Sequence, residues 1–130
     1  MIKNNNDILW IFSWPNPEII PSYVVSGIMS ADYLKIQKVI FLESNDPKNF
    51  LLEFKPKLII INKAFHSKVT ILAQEARNLN IKIISVFDDW HFSSISYNNP
   101  IFEYNKIIAD YSDAIVVKTA TAANLVKKNI

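Results

Sequence analysis

A doubly wound parallel α/β sheet is the fold class this sequence predicts, and two observations predict it. Five short apolar runs recur along the chain, DILWIFS, KVIFL, KLIII, KIISVF and AIVV, each closed by polar or turn residues. They are continuous in Ile, Val, Leu and Phe rather than alternating, as strands covered on both faces require, and helical signals separate them. The order βαβαβαβαβα calls for right-handed crossovers with helices on both faces. The expected strand order is 3-2-1-4-5, with the switch point between the first and fourth strands.

Each element has a local cause. The runs place strands at Asp7–Ser13, Lys38–Leu42, Lys57–Ile61, Lys82–Phe87 and Ala114–Val117. Pro21 opens the helical stretch PSYVVSGIMSADYL, at a position where a missing N–H costs a helix nothing. Gly27, the only glycine in the chain, interrupts it at a cost of about 1 kcal/mol relative to alanine. A glycine there would let another backbone or a ligand approach closely. Asp46-Pro47 reads as an N-cap followed by proline in the first turn, and Lys55-Pro56 ends that helix. Between Ser67 and Asn78, with Leu79 following, Val69, Leu72, Ala73, Ala76 and Leu79 fall on one face. Asn99-Pro100 starts a helix carrying Ile101, Phe102, Tyr104, Ile107 and Ile108, and Thr119 or Thr121 caps a last one over Ala122–Lys128.

The chain of 130 residues supports one core, so residues 1–130 read as a single domain. Half of its residues are apolar and a fifth are charged, which is the composition of a globular chain. A net charge of +2, with the lysines scattered, gives no basic stripe, and a nucleic-acid partner is not expected. The absence of cysteine removes disulfides, thiolate zinc sites and cysteine nucleophiles, and two histidines cannot build a histidine-rich metal site. No metal or cofactor is expected. MIKNNND has no signal-peptide core and no apolar run nears the roughly 20 residues of a membrane span, so the expected location is cytoplasmic. A pI near 8.8 and three tryptophans also suit peripheral contact with the inner face of an anionic membrane.

The turn after the first strand, SWPNPEIIPS, has no glycine, which removes both a GxGxxG site and a P-loop. Chemistry is expected instead after the fourth strand, where Asp88 and Asp89 stand at the strand end and Trp90, His91 and Phe92 follow. Aromatic faces beside carboxylates suit a sugar, which offers apolar C–H faces and a polar rim. Closure of the core by the same rings is the structural alternative. His91 is a candidate proton carrier. His66 is explained by its place where the third strand gives way to a helix. Thr119 caps the last helix and could also donate toward the crevice. A phosphoryl-accepting signalling domain would carry its acidic pair after the first strand, where Ser13-Trp14 stands.

Three segments, KPKLIIINKAF, IKIISVFDDWHF and SDAIVVKTATAANLVKK, occur in this order and at suitable spacing. Together they resemble the N-terminal domain of the family 4-like group of two-Rossmann-domain glycosyltransferases. The third segment is similar to the stretch that family writes as A-D-x-I-x-x-x-S before a helix. The resemblance implies a domain forming the acceptor side of a cleft whose other wall, on a further domain, binds a nucleotide-sugar donor; the acceptor is a glycan or glycolipid. In it Asp88 and Asp89 match acidic residues that follow the fourth strand and Thr119 the small hydroxyl residue closing the fifth; Asp88 and Asp89 with His91 are the candidate catalytic residues, and Trp14, Trp90 and Thr119 the candidate acceptor contacts. Without a donor-binding domain such a chain transfers little or no sugar, because both walls must orient the reactants. Two features depart from the family pattern: Trp14-Pro15-Asn16-Pro17 replaces a glycine-rich turn, and Phe87 stands where a histidine often ends the fourth strand. A non-catalytic module of the same fold, binding a sugar or a protein, is the alternative.

Overall fold

The computed structural model describes residues 7–20, 23–87 and 100–117. Five parallel strands form its sheet: β1 Ile8–Phe12, β2 Gln37–Ile40, β3 Leu58–Asn62, β4 Lys82–Phe87 and β5 Ala114–Val117. The helices are α1 Met29–Leu34, which continues a π-helical turn at Val24–Ile28, then α2 Pro47–Phe54, α3 Lys68–Asn78 and α4 Pro100–Tyr111. The fold is α/β and Rossmann-like, as expected from the apolar runs. Among the described residues no helix is long and apolar enough to cross a membrane. The predicted helix over Ala122–Lys128 lies outside the described residues.

The strand order is 2-1-3-4-5, not the expected 3-2-1-4-5. Burial explains the difference. In β3, Ile59, Ile60, Ile61 and Asn62 are all buried, whereas three of the four residues of β2 are exposed. A strand apolar on both faces belongs in the middle of a sheet and one carrying Gln37 and Lys38 tolerates an edge. So β3 pairs with β1 directly, with Leu9 opposite Ile59 and Phe12 opposite Asn62. The switch point therefore lies between β1 and β3 rather than between β1 and β4. For the same reason the two edge strands are only partly covered, and Ile40 and Val116 remain exposed.

Reversal of direction at β1 also sets the layers. The step from β1 to β2 runs one way along the sheet and every later step runs the other way, so right-handed crossovers put α1 on one face and α2, α3 and α4 on the opposite face. Alternate residues obey this. Leu9, Ile11, Ile59, Ile61 and Ile83 pack under α2, α3 and α4 with Phe50, Leu72 and Ile108. Trp10, Phe12, Ile60 and Val86 face the other way, onto Tyr23, Ile28 and Ala31.

The caps behave as the sequence implies at α2, where the Asp46 side chain accepts from the Asn49 N–H at 2.9 Å and Lys55 closes the helix at φ 48°. On α3 the buried stripe is Val69, Leu72, Ala73 and Ala76, while Leu79 lies past the last turn and is exposed.

Gly27 is the contact that seats the π-helical turn on the sheet. A Cβ there would lie 2.5 Å from Asn62 Oδ1 and 2.6 Å from Phe12 Cε1. Neither neighbour can yield easily, because Asn62 Oδ1 accepts from Trp10 Nε1 at 3.1 Å and Phe12 is held edge-on to Tyr23. Alanine gains about 1 kcal/mol of helix propensity. Overpacking costs more, so Gly27→Ala is expected to lower unfolding free energy by roughly 1–3 kcal/mol in urea titration. A variant as stable as the parent would contradict the close approach.

Candidate functional site

The carboxyl ends of β1 and β3 are joined by a buried polar network. Beyond β3 the chain turns at Lys63, which adopts a left-handed φ of 38° and is 3% exposed. Its carbonyl accepts from Tyr23 Oη at 2.6 Å and from Ser13 Oγ at 3.2 Å. The Ser13 backbone N–H donates to Tyr23 Oη at 3.2 Å, and Ser13 Oγ accepts from the Phe65 N–H at 2.9 Å. Both hydroxyls are thus engaged inside the protein. Burial pushes the Tyr23 hydroxyl well above its usual range, against the smaller opposing effect of its Ser13 hydrogen bonds.

Ala64 and His66 are fixed from other directions. Asn105, fully buried on α4, accepts from the Ala64 N–H at 2.9 Å and donates to the carbonyls of Ala64 at 3.3 Å and Ile101 at 2.8 Å. The His66 ring stacks on Phe41, and its Nε2 lies 3.0 Å from the Phe41 carbonyl. A carbonyl only accepts, so Nε2 carries the hydrogen; Nδ1 is buried with no hydrogen-bond partner among the described residues.

These anchors frame a cleft of about 420 Å³ at the carboxyl ends of β1, β2 and β3. Trp14 enters it from the end of β1, Glu43 and Ser44 from the end of β2, and Phe65 and His66 from the end of β3. The exposed Trp14 ring meets Phe65 edge-on at 5.5 Å, and Phe65 in turn meets Tyr23 edge-on at 5.4 Å. The Lys63 ammonium lies 5.1 Å from the centre of the Phe65 ring. Glu43 is the one formally charged side chain among the described residues that line the cleft. A smaller hollow beside Arg77, Lys82 and Asp113 lies at the opposite end of the sheet. Its groups brace the fold: Arg77 donates to the Tyr111 carbonyl and Asp113 accepts the Ile83 N–H.

Of the residues singled out from the sequence, Trp14 lies in this cleft. Asp88, Asp89, Trp90, His91 and Thr119 lie outside the described residues. With the switch point at β1 and β3, the strand that precedes Asp88 is a neighbour of the crevice rather than one of its two walls. Ser13, Tyr23, Lys63, Phe65 and Asn105 are not among the site residues expected from the sequence. The available signals were a serine ending one apolar strand and an asparagine between Tyr104 and Ile107 on an otherwise apolar helix face. No family model and no curated protein matches the chain.

Tyr23 gives a test in stability. Its folded-state pKa is raised above the ordinary 10.0, so its contribution is complete below pH 10 and declines as pH rises beyond it, where the unfolded chain ionises first. Tyr23→Phe is expected to cost about 1–3 kcal/mol at neutral pH, since the Lys63 carbonyl loses its shortest bond. The same variant should show a smaller further loss above pH 10 than the parent. Identical alkaline profiles would contradict the assignment.

Proposed function

We propose that the domain binds a sugar in the crevice at the ends of β1, β2 and β3, as the acceptor side of a nucleotide-sugar-dependent glycosyltransferase. The observation that carries this reading is the exposed Trp14 side chain, packed against Phe65 and set beside Glu43 and Ser44 in a cleft of about 420 Å³. An aromatic face takes the C–H side of a pyranose, and a carboxylate and a hydroxyl take its rim. The position supports it too, since ligands of open α/β sheets sit outside the carboxyl ends of the strands at the switch point. The order 2-1-3-4-5 is one of the two common doubly wound orders, and its switch point falls at the cleft.

In this reading an acceptor hydroxyl displaces a nucleoside diphosphate from the anomeric carbon of a donor held by a further domain. Asp88, Asp89 and His91 are the residues proposed to bind or deprotonate that hydroxyl. A second reading, a binding module without turnover, is favoured by one observation. The hydroxyls of Ser13 and Tyr23 and the Nε2 of His66 are all engaged internally and the His66 Nδ1 is buried, which leaves the described part of the cleft with binding groups rather than an accessible base.

The reading is tested by titrating neutral methyl glycosides and the matching sugar phosphates while following the Trp14 indole N–H in a two-dimensional N–H correlation spectrum. Saturable shifts are expected with neutral glycosides and weaker ones with phosphates, because Glu43 repels an anion. Asp88→Ala or Asp89→Ala should weaken binding by about 1.5–3 kcal/mol, the worth of a hydrogen bond to a charged group, with the thermal midpoint unchanged. No response to any sugar would contradict the proposal. Turnover of a nucleotide-sugar once a donor-binding domain is supplied separates the transferase from the binding module.

A further inference from the structure

We propose that Asn105 is a positioning residue of the cleft, acting through Ala64 to set where Phe65 and His66 stand. Sheet pairing along β3 ends at Asn62, which is opposite Phe12 on one side and Val86 on the other. Ala64 therefore lies past the last strand partner, and its peptide groups are buried with it. Asn105 supplies the missing partner: one amide both accepts from the Ala64 N–H and donates to the Ala64 carbonyl, as a neighbouring strand would. Its remaining hydrogen goes to Ile101 on its own helix, which fixes the amide's plane.

The burial site makes the choice of residue informative. Asn105 is 0% exposed on the face of α4 that also buries Phe102, Ile108 and Ala109. A buried amide is costly unless every polar atom is paired, and an apolar residue would serve packing alone. The two residues that follow Ala64 both line the cleft, and the residue before it is tied to Ser13 and Tyr23. Holding a binding group in its productive place through a second group's hydrogen bonds is how a preorganised site is kept. Asn105 thus ties α4 to the cleft wall across 41 residues of sequence.

The test compares Asn105→Asp, which keeps the shape and loses both donated hydrogens, with Ile108→Ala, a cavity on the same helix face in the same core as Ala64 whose side chain makes no hydrogen bond to it. Free-protein spectra are recorded well below both thermal midpoints. In Asn105→Asp the Trp14 indole and His66 ring resonances are expected to move, while the Trp10 indole, bonded to Asn62, stays in place. In Ile108→Ala the Trp14 and His66 resonances are expected to hold. Asn105→Ser gives the same comparison where the aspartate variant does not fold.

The ligand arm rests on the sugar-binding reading: affinity for the neutral methyl glycosides is expected to fall on the order of tenfold in Asn105→Asp and to change little in Ile108→Ala. Cleft resonances and affinities that respond no more in the Asn105 variants than in Ile108→Ala would overturn the positioning role. If no glycoside binds even the parent chain, the sugar reading falls, and the free-protein spectra still decide for or against Asn105.

Discussion

The structure depends on how β3 leaves the sheet. A chain that turns left-handed at a buried lysine exposes a carbonyl that no strand can pair, and an unpaired buried carbonyl costs roughly 1–3 kcal/mol. Ser13 and Tyr23 both meet that carbonyl of Lys63, one from the end of β1 and one from the helical turn that crosses the same end of the sheet. Tyr23 is held at that depth by the close seating of its helical segment, and the seating requires Gly27 against Asn62 and Phe12. A backbone contact at one glycine is thus coupled to the shape of a loop 36 residues downstream, at Lys63.

From that turn the cleft follows. Ser13 orients Phe65 through its N–H, Asn105 holds Ala64, and the Phe41 carbonyl holds His66, so four elements fix four consecutive residues. The hydroxyls in this arrangement are consumed by architecture. What faces outward is an indole, a carboxylate, a serine and the edge of a phenyl ring, a set suited to recognising a sugar ring. Among the described residues the cleft thus holds binding groups, and the residues proposed to act on an acceptor hydroxyl follow β4.

The fold was legible because apolar runs with polar ends mark parallel strands wherever helices intervene. The strand order is written there too: Gln37 and Lys38 mark β2 as an edge, while Ile59, Ile60 and Ile61 mark β3 as central. Trp14 was legible as an aromatic just past the first strand. The rest of the candidate site was not, because it is made of long-range hydrogen bonds. Tyr23 reaches Lys63 over 40 residues and Asn105 reaches Ala64 over 41, and no local period encodes either pairing. Gly27 shows the intermediate case. Its cost to the helix announced a close approach, expected from a backbone or a ligand, and the packed structure shows the side chains of Asn62 and Phe12 there instead.

Amide hydrogen exchange at Ala64 and Phe65 tests the central claim most directly, since both N–H groups are held by side chains from distant elements rather than by a strand. If the turn at Lys63 is the constraint on which the cleft depends, these two amides should open only with the core, within about 1–2 kcal/mol of the most protected residues of β3. Exchange at the rate of a free surface loop would mean that the network does not hold, and that the cleft is not built in advance of its ligand.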